Sequence, residues 1–234
     1  MSDKAPTRTE AATDLALALL LTIAAGMAAS GLATWLVTSM GLPLVSIALI
    51  QGVLILAGLH ALLAHRGLPW RTLRLVRPRL HDFGRGVLAL LLVFALNALV
   101  SLLSGWFRPE LLQSHQEGLA GVAGLLAGGL PTAAVAASML FVGFYEEALA
   151  RGFLLVRAEA VLPGRWPPIL LSSVLFGLGH FYQGPLGVLQ TTLLGILFAH
   201  LVLRWQSLWP VIFAHAALNT LSLIVLRELP RIAN

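Results

Sequence analysis

The sequence predicts an all-α membrane protein, a polytopic bundle of about seven transmembrane helices. Of its 234 residues, 58% are hydrophobic and only 11% are charged, whereas soluble domains carry about a quarter charged residues. The mean hydropathy is +0.88, so the chain has more apolar surface than a water-soluble globule buries. The uncharged runs are long and lack the alternating pattern of outer-membrane strands, which indicates helices.

The predicted spans follow from uncharged stretches, because a helix needs about 20 apolar residues to cross the hydrocarbon core. These stretches are Leu15–His65 (two spans, separated at Gly41-Leu42-Pro43), Gly86–Phe107, Pro131 to about Val156, Trp166–Leu203 (two spans, split at Gln183-Gly184-Pro185) and Trp205–Leu226. We expect Gly118–Gly129 to form a short reentrant or interfacial segment. It would add an eighth span if it crossed fully.

Arginine placement predicts the orientation, since cytoplasmic loops carry an excess of cations. The loop after the second span holds six arginines between Arg66 and Arg85 against one acid, Asp82, so it and the N-terminus should be cytoplasmic. Arg227 and Arg231 do not follow this pattern. We expect residues 1–13 to form a short cytoplasmic tail that is retained, and residues 14–229 to form a single transmembrane domain.

The net charge of +5 and the absence of cysteine limit the function classes. Without cysteine, thiol catalysis, thiolate metal sites and disulfides are excluded. Most of the basic residues are explained by membrane orientation, so the expected partners are membrane lipids and not nucleic acid. Alternatively, the arginine-rich loop binds anionic lipid or an acidic stretch of a substrate.

Ionisable and strongly polar residues inside apolar stretches indicate where function lies, because a charge at the bilayer centre costs roughly 2.5–3.5 kcal/mol. These residues are His60, Asn97, Glu146, Glu147, Arg151, His180, His200, His215 and Asn219. Seven of the nine lie in the C-terminal half. That half should therefore contain the site.

The first cluster is the acidic pair Glu146-Glu147 with Arg151. Adjacent helical residues point about 100° apart, so the two carboxylates are not expected to share one environment. Glu147 and Arg151 are at i, i+4 and can form an ion pair. Glu146 lacks such a partner and is a candidate general base. The alternative is an ordinary ion-paired helix end with both acids in water.

The second and third clusters are Phe176-x-x-x-His180 and His215-x-x-x-Asn219. Spacing of four puts each pair on one helix face. Taken singly, His180 could be a packing residue, and His215 with Asn219 could be interhelical polar glue. Together with Glu146 they offer a base, a second imidazole and a donor pair, which suits attack of water on a carbonyl group.

These three motifs resemble those of the CPBP family, the CAAX-protease and bacteriocin-processing (ABI) family of intramembrane endopeptidases. The order and spacing fit over about Pro131 to Arg227. The resemblance implies a protease-like membrane domain with its motif-bearing core at 131–227, similar to CAAX prenyl endopeptidases. It also implies hydrolysis of a peptide bond near the membrane surface.

The resemblance further implies roles for individual residues. Glu146 would activate water together with His180, and His215 and Asn219 would stabilise the oxyanion. Glu147 and Arg151 would hold the motif helix, with Phe176 in support. The alternatives from a different class are a non-catalytic scaffold or bacteriocin-immunity factor of the same fold and a proton-coupled transporter, since intramembrane Glu and His also mark proton relays.

The natural substrate and the metal content are left open. The composition, rich in Ala, Leu and Arg, is typical of a GC-rich bacterium, which points to the bacterial inner membrane, where prenylated CAAX proteins are not expected. The substrate is thus a membrane-associated or lipidated peptide or protein. Glu146, His180 and His215 could bind Zn²⁺ or another divalent metal, but no His-Glu-x-x-His helix occurs, and we expect a metal-free mechanism.

Overall fold

The structure, a computed structural model, describes residues 6–232, and the side chains of Ala33 and residues 229–232 lie outside that description. Within these residues it contains helices and no strands. The helices are α1 (Arg8–Met40), α2 (Val45–His65), α3 (Leu80–Phe107), α4 (Pro109–Ala127), α5 (Thr132–Glu147), α6 (Leu155–Val161), α7 (Trp166–Leu178), α8 (Gly184–Trp205) and α9 (Trp209–Ile232). A π-helical turn, Ala148–Leu154, joins α5 to α6.

The described residues contain six helices that are long and apolar enough to cross a membrane, together with the shorter apolar helix α7. Helices α5 and α6 and the π turn form one continuous span, Thr132–Val161. The predicted breaks are confirmed at Gly41, which has a left-handed φ of 65°, and between α7 and α8. The all-α polytopic bundle predicted from composition is therefore confirmed.

Helix α4 replaces the short segment expected at Gly118–Gly129 and begins nine residues earlier, at Pro109. It is not among the six helices that meet the length and hydropathy required of a span. Its polar first half, which contains Glu110 and Glu117, explains why the uncharged run alone suggested a shorter piece. At its C-terminal end, Arg227 of α9 donates to the carbonyl oxygens of Ala127 and Leu130.

A buried ionic cluster ties the first helix to the span that contains the acidic pair. Asp14, on α1, accepts from Arg66 Nη2 and from Arg157 Nε, both at 2.9 Å. Asp14 and Arg157 are each only 1% exposed. Asp14 directly precedes the first predicted span, but α1 begins earlier, at Arg8, and the Asp14 carboxylate is enclosed because two guanidinium groups offset its charge.

Glycines allow the helices around the acidic pair to approach closely. A Cβ atom at Gly143 of α5 would lie 3.1 Å from the backbone nitrogen of Ala216 on α9. A Cβ atom at Gly177 of α7 would lie 2.9 Å from the carbonyl oxygen of Val188 on α8. Small residues permit such close contacts between membrane helices. They bring α9 against α5 and α8 against α7 at the level of the polar clusters.

Candidate active site

Three helices place the predicted polar clusters around Glu146. This residue lies in the middle of the Thr132–Val161 span, with its side chain 18% exposed. Its Oε2 atom is 3.6 Å from His215 Nε2, on α9, and 4.0 Å from His180 Nε2, just after α7. Both imidazoles therefore direct the same nitrogen toward one carboxylate oxygen. That oxygen is enclosed and has no hydrogen-bond partner among the described residues.

Glu147 has a different environment from that of its neighbour. It is fully buried, and its Oε1 atom accepts from Arg151 Nη1 at 2.7 Å. The same oxygen lies 2.8 Å from Nδ1 of His215. The predicted i, i+4 ion pair is confirmed. Glu147 also connects Arg151 to His215, a contact that the sequence did not suggest.

The two carboxylates have different environments, as the sequence predicts, but both face the same imidazole ring. Glu146 faces Nε2 of His215 and Glu147 faces Nδ1 of the same ring. The side chains still diverge, as neighbouring helical positions must. A single imidazole inserted between them meets both, because its two nitrogens lie on opposite sides of the ring.

The buried guanidinium of Arg151 is held by aromatic rings as well as by Glu147. Its Cζ atom lies 4.1 Å from the ring centroid of Phe176 and 5.6 Å from that of Phe198. A Cβ atom at Gly195 would come within 3.1 Å of Arg151 Nη2, so this glycine on α8 leaves room for the cation. Cation–π contacts are strongest where water is excluded. They compensate in part for the burial of a charge.

His180 is folded back onto its own helix by the motif residue Phe176. Its Nδ1 atom lies 2.9 Å from the carbonyl oxygen of Phe176, and the two rings are 4.7 Å apart. With Nδ1 donating to that carbonyl, Nε2 carries the lone pair. The lone pair then points toward the Glu146 side of the site. The predicted shared face of Phe176 and His180 is thus confirmed.

The four residues predicted to act in catalysis line one cavity of about 830 Å³. They are Glu146, His180, His215 and Asn219. Asn219 has no hydrogen-bond partner among the described residues and is half-buried, so its carboxamide is available to a ligand. The remaining walls are mostly apolar, with leucine the most frequent residue, and a volume of this size is typical of ligand sites.

The cavity also contains polar residues that sequence reasoning missed or left aside. His115 of α4 and Gln190 of α8 line it together with Asn97 of α3. His115 Nε2 lies 2.9 Å from Gln190 Oε1, and Gln190 Nε2 donates to Asn97 Oδ1 at 2.9 Å. Asn97 was interpreted as helix-packing glue, and it does bond across helices. His115 was overlooked because it lies outside the uncharged runs.

A metal site at these residues is not supported by the donor geometry. Among residues 6–232, no three His, Asp or Glu side chains form a group that could hold a metal ion. Glu146, His180 and His215, the ligands that Zn²⁺ would need, do not form such a group. We therefore derive the chemistry from the side chains alone.

Comparison with known proteins agrees with the three motifs. Residues 128–221 match the model of the family described as type II CAAX prenyl endopeptidase Rce1-like. This segment, called the CPBP segment below, covers less than half of the chain and is similar to the CPBP family of CAAX proteases. The CPBP segment contains Glu146, His180, His215 and Asn219 and excludes α1 to α4. The matching model describes a family of endopeptidases, and the six long apolar helices are typical of an integral membrane protein.

No curated protein and no solved structure matches the chain. The CPBP assignment therefore depends on the family model and on the three motifs within it.

Proposed function

We propose that this protein is an intramembrane endopeptidase that hydrolyses a peptide bond of a membrane-associated or lipidated peptide. The observation that carries the proposal is the meeting of Glu146 Oε2 with Nε2 atoms of His180 and His215 at 4.0 and 3.6 Å. Polar groups separated by more than 3.5 Å can be bridged by a water molecule. The three atoms would therefore hold a water molecule beside a carboxylate.

In the proposed reaction, Glu146 accepts a proton from that water while the water oxygen attacks the carbonyl carbon of the substrate. His180 accepts a hydrogen bond from the water through the lone pair on Nε2 and orients it. The proton held by Glu146 then passes to the leaving amine as the carbon–nitrogen bond breaks. General acid–base catalysis of this kind typically contributes 10²–10⁴-fold to the rate, an order-of-magnitude figure.

The oxyanion would be stabilised by Asn219 and His215. Asn219 Nδ2 can donate directly, since its carboxamide has no protein partner among the described residues. His215 donates from Nδ1 to Glu147, so it donates from Nε2 only as the doubly protonated imidazolium. Glu147 and Arg151 are the positioning residues in this scheme. They fix the ring of His215 through the 2.8 Å contact.

The cavity indicates the kind of substrate. Its walls are mostly apolar and are formed by helices α1 to α5 and α7 to α9. An apolar or lipid-anchored peptide would enter such a site from the bilayer more readily than a soluble, charged peptide. We propose a substrate of this class, with membrane lipid as the surrounding partner and no nucleic acid, and a location in the bacterial inner membrane.

The test is cleavage of a peptide library by protein purified in proteoliposomes, with products identified by mass spectrometry. The library should include lipidated and unmodified members. We expect Glu146→Gln and His180→Ala to lower kcat by at least about a hundredfold. Matched controls are Glu159→Gln and His200→Ala, which alter a carboxylate and an imidazole that do not line the cavity.

Cleavage that persists in both Glu146→Gln and His180→Ala would remove these residues from the mechanism. A cellular phenotype that survives Glu146→Gln at normal expression would favour the alternative, a non-catalytic scaffold or bacteriocin-immunity factor. Substrate flux across the proteoliposome without cleavage would instead indicate a transporter.

A further inference from the structure

A second group of polar side chains lines the same cavity, and two of its three members lie outside the segment that matches the family model. Asn97, His115 and Gln190 come from three helices, α3, α4 and α8. Asn97 and His115 precede residue 128, where the family match begins. Carboxamides and imidazoles are costly in a membrane unless they are hydrogen-bonded or functional. Their shared position on the cavity wall therefore requires an explanation.

Hydrogen bonding fixes the direction of this group. His115 Nε2 lies 2.9 Å from Gln190 Oε1, and because this oxygen can only accept, the tautomer that satisfies the contact carries its proton on Nε2. Gln190 must then present its amino group to the other side, where Nε2 donates to Asn97 Oδ1 at 2.9 Å. Asn97 is the last member, and its Nδ2 amino group has no acceptor among the described residues. Since Nδ2 is not among the enclosed polar atoms, a ligand can reach it.

The packing around His115 shows that the group is built into the fold. His115 is only 8% exposed, and its Nδ1 atom lies 3.3 Å from the carbonyl oxygen of Gln183. A Cβ atom at Gly187 of α8 would lie 3.3 Å from Cε1 of His115, so the glycine leaves space for the ring. Helix α4 presents Leu119, Val122 and Leu126 to the cavity from the same face as His115.

We infer that Asn97, oriented by Gln190 and His115, binds a main-chain carbonyl of the peptide substrate away from the scissile bond. This inference rests on the proposed function. A peptide in an apolar cavity has carbonyl oxygens that lose their water, and each needs a donor. The Asn97 amino group supplies uncharged N–H donors, which match a neutral carbonyl.

The position of Gln190 along α8 predicts how far the bound carbonyl lies from the scissile bond. Phe198 is next to His215, with ring centroids 6.1 Å apart. Gln190 precedes Phe198 by eight residues, which is a rise of about 12 Å along the helix. An extended peptide covers that distance in about three to four residues. The bound carbonyl is therefore three to four residues from the scissile bond.

The first experiment measures kinetics in proteoliposomes with any peptide that the wild-type protein cleaves. Asn97→Leu removes the N–H donors of the carboxamide. Gln190→Leu removes the hydrogen bond that orients them. Each should raise KM about two- to tenfold with kcat little changed, because one hydrogen bond made equally in ground and transition states is lost. The matched control is Ser101→Ala, a polar residue one turn further along α3 that does not line the cavity.

The second experiment changes the substrate and keeps the enzyme intact. Each peptide bond except the scissile one is replaced in turn by a thioamide, whose sulfur is a weaker acceptor than oxygen. One position, three to four residues from the cleavage site, should raise KM for the wild-type protein. The same replacement should add no further increase in Asn97→Leu, since the donor is already absent.

An unchanged KM in Asn97→Leu would overturn the inference, as would thioamide penalties that are identical in the variant and the wild type. If the wild-type protein cleaves peptides but neither the Asn97→Leu kinetics nor the thioamide comparison gives the expected change in KM, only the inference about Asn97 fails. If the wild-type protein cleaves none of the peptides, the proposed function fails and the inference fails with it. If Asn97→Leu does not fold, the thioamide scan on the wild-type protein tests the inference. A scan in which no position three to four residues from the cleavage site raises KM would then overturn it.

Discussion

The Nδ1 atom of His215 lies 2.8 Å from Oε1 of Glu147, a carboxylate oxygen that Arg151 also binds at 2.7 Å. This contact gives the second glutamate of the pair a role distinct from that of the first. Glu146 lines the cavity, whereas Glu147 is fully enclosed and holds the ring that faces Glu146. In the proposed mechanism, the acidic pair therefore combines a reacting residue, Glu146, with a positioning residue, Glu147.

Removing the Glu147 side chain should destabilise the protein. Glu147→Ala leaves Arg151 buried without its anion, and breaking a buried pair from one side costs about 3–5 kcal/mol. Thermal unfolding in detergent should show a clear loss. The control is Glu159→Ala, whose side chain is 35% exposed where it pairs with Arg74, so its loss should cost far less than that of the fully buried Glu147. Equal stabilities of the two variants would contradict this account.

The milder change Glu147→Gln separates positioning from folding. Glutamine keeps an oxygen that can accept from His215 and Arg151 but removes the negative charge. We expect a folded protein whose kcat falls at least about tenfold, by analogy with the loss of a carboxylate that orients a catalytic imidazole. Peptide cleavage and thermal unfolding should be measured on the same preparation. Normal kcat in Glu147→Gln would show that the charge has no part in the reaction.

The fold was predictable from sequence because span length and apolar composition are properties of the chain itself. The motif residues on α5, α7 and α9 were predictable for a related reason, since a charged or strongly polar side chain within an apolar run is conspicuous. The roles of His115 and Gln190 were not predictable. His115 lies in a polar helix, and only tertiary packing against Gly187 brings it to the cavity.

The ionic cluster of Asp14, Arg66 and Arg157 was also not predictable from sequence, although its residues lie near the ends of predicted spans. Arg157 directly follows the fourth predicted span, which ends at about Val156. In the structure its Nε atom donates to Asp14, which lies 143 positions earlier in the chain. Pairing over such a separation depends on how α1 packs against α6, and local sequence patterns contain no information on it.

Close approach of α7 and α8 should depend on Gly177. An added Cβ atom there would meet the side chain of Thr192 and lie 2.9 Å from the carbonyl oxygen of Val188. Because backbone cannot move aside cheaply, Gly177→Ala should separate the helices and displace His180, three residues later. Overpacking typically costs about 1–3 kcal/mol. We expect both a lower unfolding temperature and reduced cleavage.

The matched control for this substitution is Gly121→Ala on α4, where an added Cβ atom meets nothing within 4 Å. Alanine is favoured over glycine within a helix by about 0.5–1 kcal/mol, so this variant should be as stable as the wild type or slightly more stable. If Gly177→Ala behaves like Gly121→Ala, the two helices tolerate a wider separation than the structure implies.

Neutralising Asp14 should weaken the attachment of α1 to the span that contains Glu146. Asp14→Ala leaves Arg66 and the buried Arg157 without their shared anion, and we expect a loss of about 3–5 kcal/mol. Glu10→Gln is the control, because Glu10 is an exposed partner of Arg66 and its loss should cost less than about 1 kcal/mol. The free energies of unfolding of the two variants would be compared by denaturation monitored by circular dichroism.

The orientation of the bundle in the membrane can be tested directly because the chain has no cysteine. With the N-terminus cytoplasmic, the arginine-rich loop faces the cytoplasm and the turn after α1 faces outward. A single cysteine replacing the exposed Leu42 should react with a membrane-impermeant maleimide in intact cells. One replacing the exposed Arg77 should react only after permeabilisation.

Arg227 explains why the orientation prediction has an exception. Its guanidinium donates to the carbonyls of Ala127 and Leu130 and to the Thr132 hydroxyl, so the protein itself supplies partners for this charge. Ala214→Cys, at 1% exposure, serves as the unreactive control in both labelling conditions. Labelling of Arg77→Cys in intact cells, with Leu42→Cys protected, would establish the inverted orientation.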